Sequence, residues 1–151
     1  MSPRPDHDAD ARILELLRTH DLREAAILDA YRGLVEASAD EGVQYLGRLI
    51  IDDEARHHQV LGEMADRIDA WMHDRDDAGT PPLTPHVDRA LLEETRRLIA
   101  LERDDAKELR KLQKDLRETP PTSLLPLLVK LMLHDNAKHI EILRFIRTYS
   151  G

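Results

Sequence analysis

RLIIDDEARHHQVL, from Arg48 to Leu61, and KLMLHDNAKHIEIL, from Lys130 to Leu143, decide how the rest of the chain is read. Each keeps apolar residues three and four apart, the period of an amphipathic helix. Each also interrupts its apolar stripe at the same two places, with Glu54 and His57 in the first and Asn136 and His139 in the second. At an offset of 82 they share five identities, with Arg/Lys, Ile/Met, Ile/Leu and Val/Ile exchanges among the rest. At an offset of 78, Asp10 to Glu24 overlays Asp88 to Glu102, matching Leu14 with Leu92, Glu15 with Glu93, Arg18 with Arg96 and Glu24 with Glu102. Both alignments fall on one two-helix unit, so the chain reads as a duplicated helical hairpin.

Working outward, the stripe Ile13, Leu17, His20, Glu24, Ile27, Leu28, Tyr31, Leu34 and Val35 predicts a first helix over 9–37, after a short tail at 1–8. Ser38 with Glu41 forms a capping box for a second helix over 40–72, or Gly42 closes the first; either puts the turn here. The second stripe is Val43, Leu46, Ile50, Glu54, His57, Leu61, Met64, Ile68 and Trp71. HDRDDAGTPPLTPH, from His73 to His86, is the long connection, and Thr84 with Pro85 suits the N-cap and first position of a third helix over 85–119. Its stripe is Val87, Leu91, Leu98, Glu102, Asp105, Leu109, Leu112 and Leu116, and Pro120-Pro121 stops it. Thr122 or Ser123 caps a fourth over 123–149, whose first turn tolerates Pro126 and whose stripe is Leu125, Val129, Met132, Asn136, His139, Leu143 and Ile146. The expected fold is all-α, a four-helix bundle over 9–151 made of two repeated hairpins. Leu28, Ile50, Leu61, Leu98, Leu109 and Met132 are its expected core. The middle linker, at about 3.3 Å per residue, can run back along the bundle as a crossover or sag as a loop.

Composition narrows the function classes. The chain has no Cys, which excludes disulfide scaffolds, thiolate zinc, iron–sulfur clusters and cysteine nucleophiles, and suits a cytoplasmic protein. A net charge of −8 argues against a nucleic-acid partner. The longest apolar run, Leu124 to Leu133, is broken by Pro126 and Lys130 and is too short for a membrane span, and MSPRPDHDAD lacks the apolar core of a signal peptide.

Glu24, Glu54, His57, Glu102, Asn136 and His139 all occupy positions where the helical period asks for a core residue. Glu24 and Glu54 stand at similar distances from the first turn, and Glu102 and His139 from the second, so all are expected near mid-bundle. Buried carboxylates need positive charge, and the four stripes contain no Lys or Arg. A metal cation is the simplest compensation. Glu54-Ala55-Arg56-His57 has the Glu-x-x-His spacing of a helical metal ligand pair.

From about residue 10 to 149 the chain resembles the ferritin-like superfamily, and within it the rubrerythrin-like branch. The resemblance implies metal ligands at Glu24, Glu54, His57, Glu102 and His139, and a tyrosine seven residues after the first glutamate, which Tyr31 matches. Tyr31 reads equally as core packing or as a radical or hydrogen-bonding residue. In the fourth helix the sequence departs from the pattern: Asn136-Ala137-Lys138-His139 stands where a second Glu-x-x-His belongs, and the shifted register, Asp135 with Lys138, is a poorer ligand pair. Asn136 can offer a carbonyl oxygen, and Asp105, one turn after Glu102, can lean in as a substitute carboxylate. His58 and His134 are expected on the surface.

The resemblance implies two ions of iron or manganese, reacting with O2 or peroxide in oxidase, peroxidase or ferroxidase chemistry, and chains paired as a homodimer. Two divalent ions carry four positive charges and Glu24, Glu54 and Glu102 only three negative ones, so a second ion is left one negative charge short. The alternative is a metal-free or mononuclear degenerate bundle with a structural or interaction role. Oxygen carriage of the hemerythrin kind needs more His ligands than the stripes hold.

Overall fold

The computed structural model describes residues 7–73 and 89–150. These form an all-α chain of four helices, with no strand among the described residues. It divides into two compact units, Met1–Pro82 and Leu83–Gly151. Among the described residues no helix is long and apolar enough to cross a membrane. The expected linker, with its Thr84 cap, and most of the expected N-terminal tail lie outside the described residues.

The first unit pairs α1 (His7–Ala37) with α2 (Glu41–Met72) as an antiparallel hairpin. Asp40, not Ser38, is the N-cap of α2: its φ of −84° and ψ of 117° are extended, and its carboxylate accepts from the Val43 N–H at 3.0 Å. Ser38 instead steadies the turn, its hydroxyl accepting from Asp40 N at 3.2 Å and its carbonyl from the Gln44 amide at 2.7 Å.

The second unit pairs α3 (Arg89–Asp115) with α4 (Leu125–Ser150) through a 3₁₀ turn at Leu116–Glu118. Thr119 is extended, with φ −74° and ψ 149°, as the residue before Pro120 must be. Ser123 accepts from the Leu125 N–H at 3.3 Å in the turn before α4, but the residue directly before the helix is Leu124, whose carbonyl takes the Leu128 N–H at 2.9 Å, so neither Thr122 nor Ser123 stands at the cap position.

Each hairpin buries a narrow seam that advances by alternating steps of three and four. On α1 the seam is Asp10, Leu14, Leu17, Asp21, Glu24, Leu28, Tyr31 and Val35; on α2 it is Gly47, Ile51, Glu54, His58, Leu61, Ala65 and Ile68, all buried or half-buried. On α3 it passes through Thr95, Ile99, Glu102, Ala106 and Leu109, and on α4 through Val129, Leu133, Asn136, Ile140 and Leu143. This is the spacing of a two-helix coiled coil, which has room for two positions per seven. The apolar stripe of each helix is wider than that.

Of the expected core, Leu28 and Leu109 are therefore buried and Leu61 half-buried, whereas Ile50, Leu98 and Met132 are exposed. Those three flank the seam, one residue from Ile51 and Ile99 and one from Leu133. Trp71, Leu101 and Phe145 are likewise about half exposed, at 53%, 49% and 55%.

Small residues set how closely α1 and α2 approach. A Cβ on Gly47 would stand 2.5 Å from Val35 Cγ2, whereas one on Gly33 would meet nothing within 4 Å. Gly47→Ala should therefore push the helices apart and destabilise by about 1–3 kcal/mol, while Gly33→Ala should stabilise by about 0.5–1 kcal/mol through helix propensity alone. Urea unfolding of the two variants checks the opposite signs.

Candidate metal centre

In α1 and α2 the heptad-like seam carries two successive polar layers. Glu24 of α1 meets Glu54 of α2, and one turn along, Asp21 meets His58, as the antiparallel register requires. His57, one residue off the seam, reaches back toward Glu54. One ligand atom each from Glu24, Glu54 and His57 lie within 4.8 Å of one another. Glu24 is 8% exposed, and the His57 side chain remains open to solvent on its outer side. His57 Nδ1 is 3.9 Å from Glu54 Oε2, and His20 Nε2 is 3.3 Å from Glu24 Oε1.

The electrostatics of this layer are unbalanced. Glu24 Oε2 and Glu54 Oε2 are both buried, and with both carboxylates ionised neither has a hydrogen-bond donor within reach. When both groups are ionised they repel in a partly dry seam, and the pair relaxes by holding a proton between the two carboxylates or by taking a cation. The hydrogen bond with Glu24, then burial, then the Glu24 charge raise the Glu54 carboxyl above the ordinary carboxylate range. The same hydrogen bond lowers Glu24, helped by His57 and His20 and opposed by burial. Two carboxylates and an imidazole on two helices are a donor set for a divalent ion such as iron or manganese, and the orphaned oxygens are what such an ion would satisfy.

The other sequence-derived candidates gather in the α3–α4 hairpin, around a cavity of about 260 Å³ lined by Glu102, Asp105, Met132, Asp135, Asn136 and His139. Asn136 does not offer its carbonyl to this space as a ligand. Its Nδ2 donates to Glu102 Oε2 at 2.7 Å and to Asp105 Oδ2 at 3.0 Å, and its Oδ1 is buried without a partner. With carboxylates on two sides, the amide can only turn its N–H groups toward them. Asp105 thus leans in, as expected, but onto the amide. His139 Nδ1 lies 3.2 Å from Glu102 Oε1.

Within the first hairpin Glu24, Glu54 and His57 come together, and within the second Glu102, Asp105, Asn136 and His139 do. Tyr31 is half-buried in the α1 seam, two turns from Glu24. His134 is exposed as expected, but His58 is half-buried, with Nδ1 2.7 Å from Asp21 Oδ1. Helix phase alone sets His58 about 100° from His57, which reads as outward; the seam passes through Glu54 and His58, four apart, and turns it inward. Asp21, three before Glu24, is its antiparallel partner, and that register was the signal that would have found the pair. His20 was visible as a polar member of the first stripe, one turn before Glu24.

No family model, curated protein or solved structure matches the chain.

The Glu24–Glu54 pair makes the stability of the metal-free protein depend on pH from both sides. The lowered Glu24 contributes stability above its unfolded pKa that is lost as pH falls through its folded value; the raised Glu54 contributes stability at low pH that is lost as pH rises through its folded value. Chelator-treated protein should be most stable in the mildly acidic interval between the two. Glu54→Gln should abolish the decline on the alkaline side, because the amide donates to Glu24 at every pH. Melting temperatures from pH 3 to 8 check this.

Proposed function

We propose that this protein binds iron or manganese through Glu24, Glu54 and His57 and uses the metal for redox chemistry with O2 or peroxide, as a ferritin-like protein of the rubrerythrin-like kind. The observation that carries this reading is the pair of buried, donorless carboxylate oxygens on Glu24 and Glu54 with an imidazole beside them. A seam built only for stability would pair Leu with Leu at this level, since two facing carboxylates are costly unless a cation joins them. The duplicated hairpin and the Glu24, Tyr31, Glu54, His57 spacing support the ferritin-like assignment.

The bound metal would supply one-electron redox chemistry. The chain's own part is to hold the ion. Glu24, fixed in the seam, would be the buried anionic ligand and Glu54 the second carboxylate facing it; His57, on the open flank, would hold the ion where the site meets solvent. His20, one turn before Glu24 and largely exposed, stands at the same rim. With no Cys in the sequence, a peroxidase reaction would draw electrons from a separate donor, whereas a ferroxidase needs no donor but its Fe(II) substrate.

A second reading, a structural or interaction protein, is favoured by the exposed apolar residues beside each seam, Ile50, Trp71, Leu98 and Phe145 among them. Glu54→Ala separates the two. Under the metal reading it should abolish retention of Fe(II) or Mn(II) and reduce Fe(II) oxidation to the rate of free iron, measured by metal analysis and ferric absorbance. An unaltered metal content, or a wild-type chain that binds neither ion, would support the second reading.

A further inference from the structure

We infer that the Asn136 amide stands in for a cation in the α3–α4 hairpin, so that this half of the chain holds no metal ion of its own. The inference uses the ligand reading of Glu24, Glu54 and His57 as its point of comparison, but its evidence lies in the other hairpin. The two alignments bring Glu24 over Glu102, Glu54 over Asn136 and His57 over His139. In each hairpin a seam glutamate thus faces a seam partner, with a histidine one turn beyond that partner. The difference is the replacement of a carboxylate by an amide at a single position.

That replacement changes what the layer lacks. In α1–α2, Glu24 Oε2 and Glu54 Oε2 are buried with no donor. In α3–α4 both hydrogens of Asn136 Nδ2 are used, one toward Glu102 and one toward Asp105, and the other Glu102 oxygen lies beside His139. Asn136 is 6% exposed, so its amide is withdrawn from water even though Asp105 keeps an open face. An ion entering here would have to displace two hydrogen bonds to carboxylates and would gain only a neutral amide oxygen in return. The orphan in this hairpin is the Asn136 carbonyl, a far weaker attractant for a divalent cation than an orphaned carboxylate. Asp105, which has no counterpart in the ligand pattern of α1–α2, gives the second amide hydrogen its acceptor and completes the closure.

The test is Mn(II) binding to the full chain, by calorimetry and by metal analysis after gel filtration, alongside melting temperature. Wild-type protein should bind one Mn(II) per chain, and Glu102→Gln should leave that stoichiometry unchanged. Asn136→Asp replaces the two donors by a carboxylate of the same shape; it should lower the metal-free melting temperature, gain one Mn(II) per chain and recover stability when the ion is added. Conversely, Glu54→Gln gives α1–α2 the amide of its repeat, and should lose its Mn(II) while melting higher than metal-free wild type. Wild-type protein binding two ions, one of them lost in Glu102→Gln, would overturn the inference and leave the proposed function intact. A folded Asn136→Asp variant that gains no ion would also overturn it. If wild type binds none and Asn136→Asp binds one, the inference stands and the proposed function fails. Should Asn136→Asp not fold, the Glu102→Gln stoichiometry decides alone.

Discussion

Two carboxylates, Glu24 and Glu54, face each other across a seam that continues with Leu28 and Ile51 on one side and, beyond the Asp21–His58 layer, with Leu17 and Leu61 on the other. Leu28 lies one turn away on α1 and Leu61 two turns away on α2, so the charged layer is set between apolar contacts that hold the two helices together. Ionised and alone, the pair works against the hairpin it sits in. Protonated or bridged, it joins α1 to α2. The chemistry of this region follows from that tension, including the opposite displacement of the two carboxyl groups from their ordinary range.

The α3–α4 hairpin resolves the same problem differently. Its seam carries Glu102 at the corresponding level, but the partner is an amide that donates rather than a second anion. A hydrogen bond to a charged acceptor is short and strong in a shielded site, and here one Nδ2 makes two. The two layers thus place their groups at matching positions along the seam but differ in charge. The two hairpins differ in what their centres ask for.

Packing explains which side chains are available to do chemistry. A pair of helices has one seam, and the seam's three-and-four spacing admits only two positions in seven. Glu24, Glu54, Glu102 and Asn136 fall on it and are held; His57 and His139 fall beside it and keep an open face. The same rule leaves Ile50, Trp71, Leu98 and Met132 uncovered along the flanks. It also brings Asp21 and His58 together as a second polar layer next to the first.

The sequence by itself determined the four helices, their breaks at 38–40 and at Pro120-Pro121, and the polar residues set into the apolar stripes, because helix period and proline act locally. It also picked out Glu24, Glu54 and His57, since their depth from the turn follows from counting residues along antiparallel helices. Tertiary structure alone decided which edge of each wide stripe becomes the seam: that depends on the partner helix, and it moved burial from Leu98 to Ile99 and from Met132 to Leu133 and turned His58 inward. The N-cap of α2 was a local choice between neighbours, in which Asp40 reaches the Val43 N–H and Ser38 turns to the loop. The orientation of the Asn136 amide was equally hidden, because an amide can donate or accept, and only two carboxylates on α3, brought against it by the seam, select the donor.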